Sequence, residues 1–295
     1  MRLFLPILLI GCSSDYDLSP KIEENPPEEL EELETLEEVE ASAPVAVCDV
    51  SPNPVNPPFE SATFTGVDSY DPDGGTITKY QWELISVPEG AAASFSQTDQ
   101  AVVSNFMPDV AGDYVAELTV TNEAGLTGSC ETTLQAIPAQ NLWVEMYWQY
   151  SGDDMDLHLI APNYDWQSNW NSTYDCYYGN CVNGWLDWGQ IGYGEDDPAL
   201  DLDDIPGVGP ENINVYEPEI NGTYTVVLHD YPGSVYEGAN DVTINIYLDG
   251  TLAWSDTRTI SGEDSCTPFA QIDWGAGVVI PLNQGSTTCP ASSWF

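Results

Sequence analysis

Tyr114-Val-Ala-Glu-Leu-Thr-Val-Thr121 decides the fold class. At a period of two, Tyr114, Ala116, Leu118 and Val120 fall on one side of an extended chain, and Val115, Glu117, Thr119 and Thr121 fall on the other. Working outward, Ser61-Ala-Thr-Phe-Thr65 and Thr78-Lys-Tyr-Gln-Trp-Glu-Leu84 alternate in the same way, and Asp73-Gly74-Gly75 and Glu123-Ala124-Gly125 supply turns. No amphipathic helix interrupts them, so about 90 residues of short strands predict a β-sandwich. Past Ile137-Pro138-Ala139, a second all-β unit is expected from Leu142 to Tyr150, Met155 to Ile160, Gly222 to His229, Asp241 to Leu248 and Phe269 to Trp274. A long insertion, Asn163 to Asn214, divides it. A loop of that length in a compact domain is usually functional or pinned.

The N-terminus carries a different signal. Arg2, the apolar run Leu3 to Ile10, then Gly11-Cys12 and polar Ser13-Ser14 resemble a bacterial lipoprotein signal. The resemblance implies removal of residues 1–11, a lipid on Cys12 and an outer-membrane destination in the cell envelope, facing either the periplasm or the exterior. The run is too short to span a bilayer, which takes about 20 apolar residues. Residues 12–43 read as a disordered acidic tether: Pro20, Pro26 and Pro27 punctuate it, and Glu28 to Glu40 has no lysine to pair its glutamates.

Composition narrows the partners. With 49 acidic residues against 4 basic ones, the net charge is -45. Such a surface repels phosphate backbones and has no basic stripe to release counterions, which excludes nucleic acid. Once Cys12 is assigned to lipid, Cys48, Cys130, Cys176, Cys181, Cys266 and Cys289 form an even set suited to an oxidising compartment. Their connectivity is open. Cys48–Cys130, Cys176–Cys181 and Cys266–Cys289 are favoured because each bridge stays inside one expected domain.

Two resemblances sharpen the outline. Asp68-Ser-Tyr-Asp-Pro-Asp-Gly74, Tyr80-Gln-Trp82, Pro108-Asp-Val-Ala-Gly-Asp-Tyr114 and Leu118-Thr-Val-Thr121 resemble a PKD domain. This implies an immunoglobulin-like spacer or adhesion module over residues 44–138, with Trp82 in the core and no catalytic residues. Asp154 to Leu159, Cys176-Tyr-Tyr-Gly-Asn-Cys181, Leu200-Asp-Leu-Asp-Asp204, Gly207-Val-Gly-Pro-Glu-Asn212 and Gly222-Thr-Tyr224 resemble a β-sandwich domain recurring in secreted proteins and lipoproteins of myxobacteria and their relatives. It is similar in style to pre-peptidase C-terminal domains. That resemblance implies an accessory, calcium-binding module over residues 139–295. The expected architecture is therefore all-β: two β-sandwiches, one immunoglobulin-like and one jelly-roll-like, behind the tether.

Two groups of side chains are candidates for function. In Asp154-Met-Asp-Leu-His-Leu159, alternation sets Asp154, Asp156 and His158 opposite Met155, Leu157 and Leu159. In Ala199-Leu-Asp-Leu-Asp-Asp204, Asp201 and Asp203 oppose Leu200 and Leu202, and Asp204 follows. Bringing such rows of acids together is costly unless a cation neutralises them or some acids stay protonated, and calcium, with six to eight oxygen ligands, is the natural cation. The expected ligands are Asp154, Asp156, Asp201, Asp203 and Asp204, with Glu211 a weaker candidate. His158 and His229 read as hydrogen-bonded structural residues. Trp166, Trp170, Trp185 and Trp188 of the insertion are either sugar-stacking rings or buried fillers of the loop. The functional expectation is a non-catalytic, lipid-anchored envelope protein that binds glycan or protein. The alternatives are a carboxylate-dependent hydrolase of the glycosidase type and a purely structural envelope protein. Ser-His-Asp chemistry lacks support, because GxSxG and HExxH motifs are absent and only 2 histidines are present.

Overall fold

The computed structural model describes residues 40–182, 184, 186–205 and 207–291; Cys12, most of the tether and Trp185 lie outside them. Residues 41–295 form one compact unit. Its first six strands are β1 (Asp49–Ser51), β2 (Ala62–Thr65), β3 (Ile77–Ser86), β4 (Val102–Phe106), β5 (Gly112–Asn122) and β6 (Thr127–Ala136). They make two antiparallel sheets, ordered β1-β2-β4 and β3-β5-β6. The period-two alternation of Tyr114 to Thr121 positions β5: Tyr114, Ala116, Leu118 and Val120 are all fully buried. Facing them, Phe64, Phe95, Phe106 and Trp82 meet edge to face, with centroids 5.1–6.3 Å apart. Cys48–Cys130 joins the segment before β1 to β6.

Eleven further strands form a second pair of sheets. They are β7 (Leu142–Trp148), β8 (Met155–Ile160), β9 (Asp175–Cys176), β10 (Pro198–Leu202), β11 (Glu211–Val215), β12 (Thr223–Asp230), β13 (Asn240–Leu248), β14 (Thr251–Ile260), β15 (Ser265–Asp273), β16 (Val278–Pro281) and β17 (Thr287–Thr288). One sheet runs β10-β11-β7-β13-β14 and the other β16-β15-β12-β8-β9, with β17 on β15. Val144 and Met146 of β7, Leu157 and Leu159 of β8, and Val226 and Leu228 of β12 fill the space between them. The fold is all-β, as the alternation predicts.

Strands β7 and β8 are buried along their whole length, on both faces. For β7 the outer cover is the first sandwich: Trp143 and Tyr247 pack on Ala111, and Gly90 lies so close to Tyr147 that a Cβ there would sit 2.3 Å from the ring. For β8 the cover is the insertion. A single helical turn, α1 (Trp166–Asn169), is capped by Asp165, whose carboxylate accepts from Ser168 N at 2.9 Å. It sets Trp166 and Trp170 against Ile160, Val227 and Cys266. Cys176–Cys181 clips the insertion, and Cys266–Cys289 holds the C-terminal segment to β15.

Candidate metal centre

Strand β9 pairs with β8 only at Leu159 and Ile160, so the edge of β8 from Met155 to Leu157 is left without a strand partner on that side. The side chain of Glu211 fills the gap. Glu211 opens β11 and is fully buried, and its Oε2 accepts from Leu157 N at 2.9 Å. Asp156, on β8, is 2% exposed, whereas Asp203, just after β10, reaches solvent. Asp156, Asp203 and Glu211 each bring a carboxylate oxygen within 4.8 Å of the others.

Asp154 stands beside them. Burial, and then the charges of Asp203 and Asp153, push its carboxyl up to about 6. Burial raises Asp156 and Glu211 well above the carboxylate range. Asp154 and Asp203 add to the shift of Asp156, and Asp156 adds to that of Glu211. Asp154 Oδ1, Asp156 Oδ2 and Glu211 Oε1 are buried and accept no hydrogen bond among the described residues. Buried polar atoms are normally paired, so the unpartnered oxygens on Asp156 and Glu211, two members of the converging trio, and on neighbouring Asp154 suit the approach of a positive charge.

Two of the expected ligands are turned elsewhere. The pairing of β10 with β11 slips at a bulge between Leu200 and Leu202, which interrupts the alternation assumed from sequence. Asp201 there accepts from Asn212 Nδ2 at 2.9 Å and from Asn214 Nδ2. Asp204 accepts from Gly209 N at 2.8 Å, inside its own loop. Glu211, the weaker expectation, is the most deeply placed of the converging acids.

On the outer face of β8, His158 Nδ1 faces both oxygens of Asp175, at 2.9 and 3.0 Å. Its ring lies between Trp170, 3.9 Å away by centroid, and Tyr177, 5.2 Å away. His229, on the neighbouring strand, is pushed down to about 3 by burial and then by His158, so it is neutral at physiological pH. A cavity of about 220 Å³ opens here, lined by Trp170, Tyr177, Tyr178, His229 and Tyr231.

Of the two readings open for the insertion's tryptophans, burial holds for the three that are described: Trp166 is 9%, Trp170 5% and Trp188 4% exposed. Trp188 Nε1 donates to Thr173 O at 2.8 Å and its ring joins the core beside Tyr224. Burying large rings is what closes so long an insertion. A different pair of rings, Tyr164 and Tyr174, is exposed. Tyr164 and Tyr174 stack at 3.7 Å beside a cleft of about 710 Å³ that also includes Asp187, Ile191 and Glu219. With 16 tyrosines in the chain, nothing in their spacing singled these two out.

Comparison with known proteins addresses the first sandwich. Residues 52–135 match a family model described as K319L-like, PKD domain, so a PKD domain precedes the larger sandwich. No curated protein matches the chain. Among solved structures, the PKD1 domain of Vibrio anguillarum Epp is similar at 26% identity, covering 33% of this chain and 96% of that one, with a TM-score of 0.25. A structure reported for carbohydrate-binding modules of the β-sandwich superfamily is similar at 15% identity, covering 84% of this chain and 95% of that one, with a TM-score of 0.27.

Proposed function

We propose that the chain is a non-catalytic binding protein of an oxidising, extracytoplasmic compartment. Its larger sandwich takes a calcium ion at Asp154, Asp156, Asp203 and Glu211, and its PKD domain serves as a spacer. The observation that carries this reading is the convergence of Asp156, Asp203 and Glu211, with buried, unpartnered oxygens on Asp156, Glu211 and neighbouring Asp154. Among the described residues, no lysine or arginine reaches this point. Arg258 is committed to Asp256 and to the carbonyls of Pro268 and Phe269, and Lys79 lies on β3 of the first sandwich. An all-oxygen donor set with irregular geometry suits calcium better than zinc or copper.

Burial argues against the hydrolase alternative. A retaining glycosidase needs two carboxyls about 5–5.5 Å apart flanking a sugar, and Glu211 and Asp156 are closed off from any such substrate. No serine or threonine hydroxyl bonds either histidine among the described residues. The cleft beside Tyr164 and Tyr174, with Asp187 and Glu219 as hydrogen-bond acceptors, is the surface we assign to a glycan ligand. The lipid anchor on Cys12 completes the reading and fits the three disulfides, which belong to an oxidising compartment.

Calorimetry of the chain in calcium and in EDTA tests the metal centre. Calcium is expected to raise the melting transition of residues 139–295 and to leave that of 44–138 nearly unchanged. At a calcium concentration a hundred times the dissociation constant, the gain is about 2.7 kcal/mol. Superimposable melting curves in the two buffers would remove the metal from the proposal.

A further inference from the structure

A second group of acids lies at the same end of the sandwich, and none of them belongs to the centre described above. Strands β15, β12 and β8 are neighbours in one sheet. Glu263 lies just before β15, Asp230 ends β12 and Asp153 stands shortly before β8, so sheet order gathers three residues that are far apart in sequence. One carboxylate oxygen from each lies within 4.8 Å of the others. We propose that Asp153, Asp230 and Glu263 form a second divalent-cation site, for calcium, with ligands distinct from those of the first.

The hydrogen bonding shows how each carboxylate is aimed. Asp153 Oδ2 is tied down by Asn240 Nδ2 at 2.9 Å, and Glu263 Oε2 by Gly233 N at 2.8 Å. Their other oxygens, Asp153 Oδ1 and Glu263 Oε1, each stand 3.2 Å from Ser234 Oγ. That hydroxyl has one proton, and its shortest contact, 2.8 Å, is to Tyr236 O. Apart from an amide contact from Asp154 N to Asp153 Oδ1 at 3.2 Å, these two carboxylate oxygens have no other donor among the described residues.

The independent observation is Asp230. It is 3% exposed, it carries a carboxylate oxygen into the cluster, and its Oδ1 accepts no hydrogen bond among the described residues. Burial, and then the charges of Asp153 and Glu263, push its carboxyl up to about 7. Three carboxylates, a hydroxyl and entering waters make up the oxygen shell that calcium takes.

Occupancy has a structural consequence. Tyr231 and Pro232 follow Asp230, Asp264 follows Glu263, and all three line the aromatic cavity over His158 and His229. An ion at this site braces two walls of that cavity. The segment carrying Ser234 is already held by Val235 N and Tyr236 N, both donating to Gly152 O at 2.9 and 2.8 Å.

The test is a titration of the calcium-depleted full chain with calcium alone, by isothermal calorimetry and equilibrium dialysis. The wild type is expected to bind two ions, and Asp230→Asn and Asp156→Asn one each. A single ion lost in Asp230→Asn and kept in Asp156→Asn supports this site and counts against the first centre. A single ion lost in Asp156→Asn and unaffected by Asp230→Asn overturns this site and leaves the first standing. No bound ion overturns both. Should Asp230→Asn fail to fold, Ser234→Ala decides, because it keeps all three carboxylates. A roughly tenfold weakening of one of two binding steps supports the site, and two unchanged steps overturn it.

Discussion

In the first sandwich the space between the sheets is filled by rings and aliphatic chains, and Asn122 is the one polar side chain enclosed there among the described residues. The larger sandwich encloses Glu145, Asp153, Asp156, His158, Asp175, Glu211 and Asp230 along with its apolar core. The two therefore divide the tasks of the molecule. A neutral aromatic core gives cohesion that needs no ligand, which suits a spacer. Buried acids cost stability until something positive neutralises them, and that links the second sandwich to its ionic surroundings.

The largest expected effect separates the two directly. Trp82 is 1% exposed, packs on Phe64 and Phe95, and donates from Nε1 to Gln100 O at 3.1 Å. Trp82→Ala should cost about 3–5 kcal/mol in the first sandwich by leaving a cavity. The calcium-dependent shift of the second transition should stay as it is. Thermal melts of the variant in calcium and in EDTA check this. Loss of the calcium shift would show that the two cores do not behave separately.

Glu145 probes the face on which the sandwiches meet. It is fully buried, and its Oε2 accepts from Ala111 N of the first sandwich at 2.9 Å. Burial raises its carboxyl from 4.5 to about 7. A raised carboxyl binds its proton more tightly in the folded state, so its stabilising contribution is complete below pH 4.5 and is lost as pH rises through about 7. At 1.36 kcal/mol per unit this is about 3 kcal/mol at most. In EDTA the wild type should melt higher at pH 5 than at pH 8, and Glu145→Gln should flatten part of that slope. An unchanged slope would place the titrating group elsewhere.

How much was legible in the sequence follows the same division. The strand Met155–Ile160 and the buried set of β5 could be read because alternation and burial coincide there. Strand β14 is not legible, because it is an edge strand whose residues are mostly exposed or half-buried and leave little hydrophobic signal. Glu145 did leave a signal, a lone acid inside Leu142-Trp-Val-Glu-Met-Tyr-Trp148, but its meaning depends on a partner 34 residues earlier. Of the acids, Asp154, Asp156, Asp203 and Glu211 were legible as candidates. The trio Asp153, Asp230 and Glu263 was not, since only the order of strands in a sheet brings it together.

The smallest expected effect tests the bulge in β10. Alternation made Asp201 and Asp203 equivalent, whereas the slipped register holds Asp201 against Asn212 and Asn214 and leaves Asp203 with the converging acids. An asparagine at 201 still accepts one of those amide bonds, so Asp201→Asn should cost about 1 kcal/mol and leave calcium affinity unchanged. Asp203→Asn should leave apo stability nearly unaltered, because the side chain is exposed, while weakening calcium about tenfold. Calcium titrations of the two variants, each paired with a melt in EDTA, read both quantities. If Asp201→Asn weakened calcium as much as Asp203→Asn, the acids would be acting through overall charge, and the geometric distinction drawn by the bulge would fail.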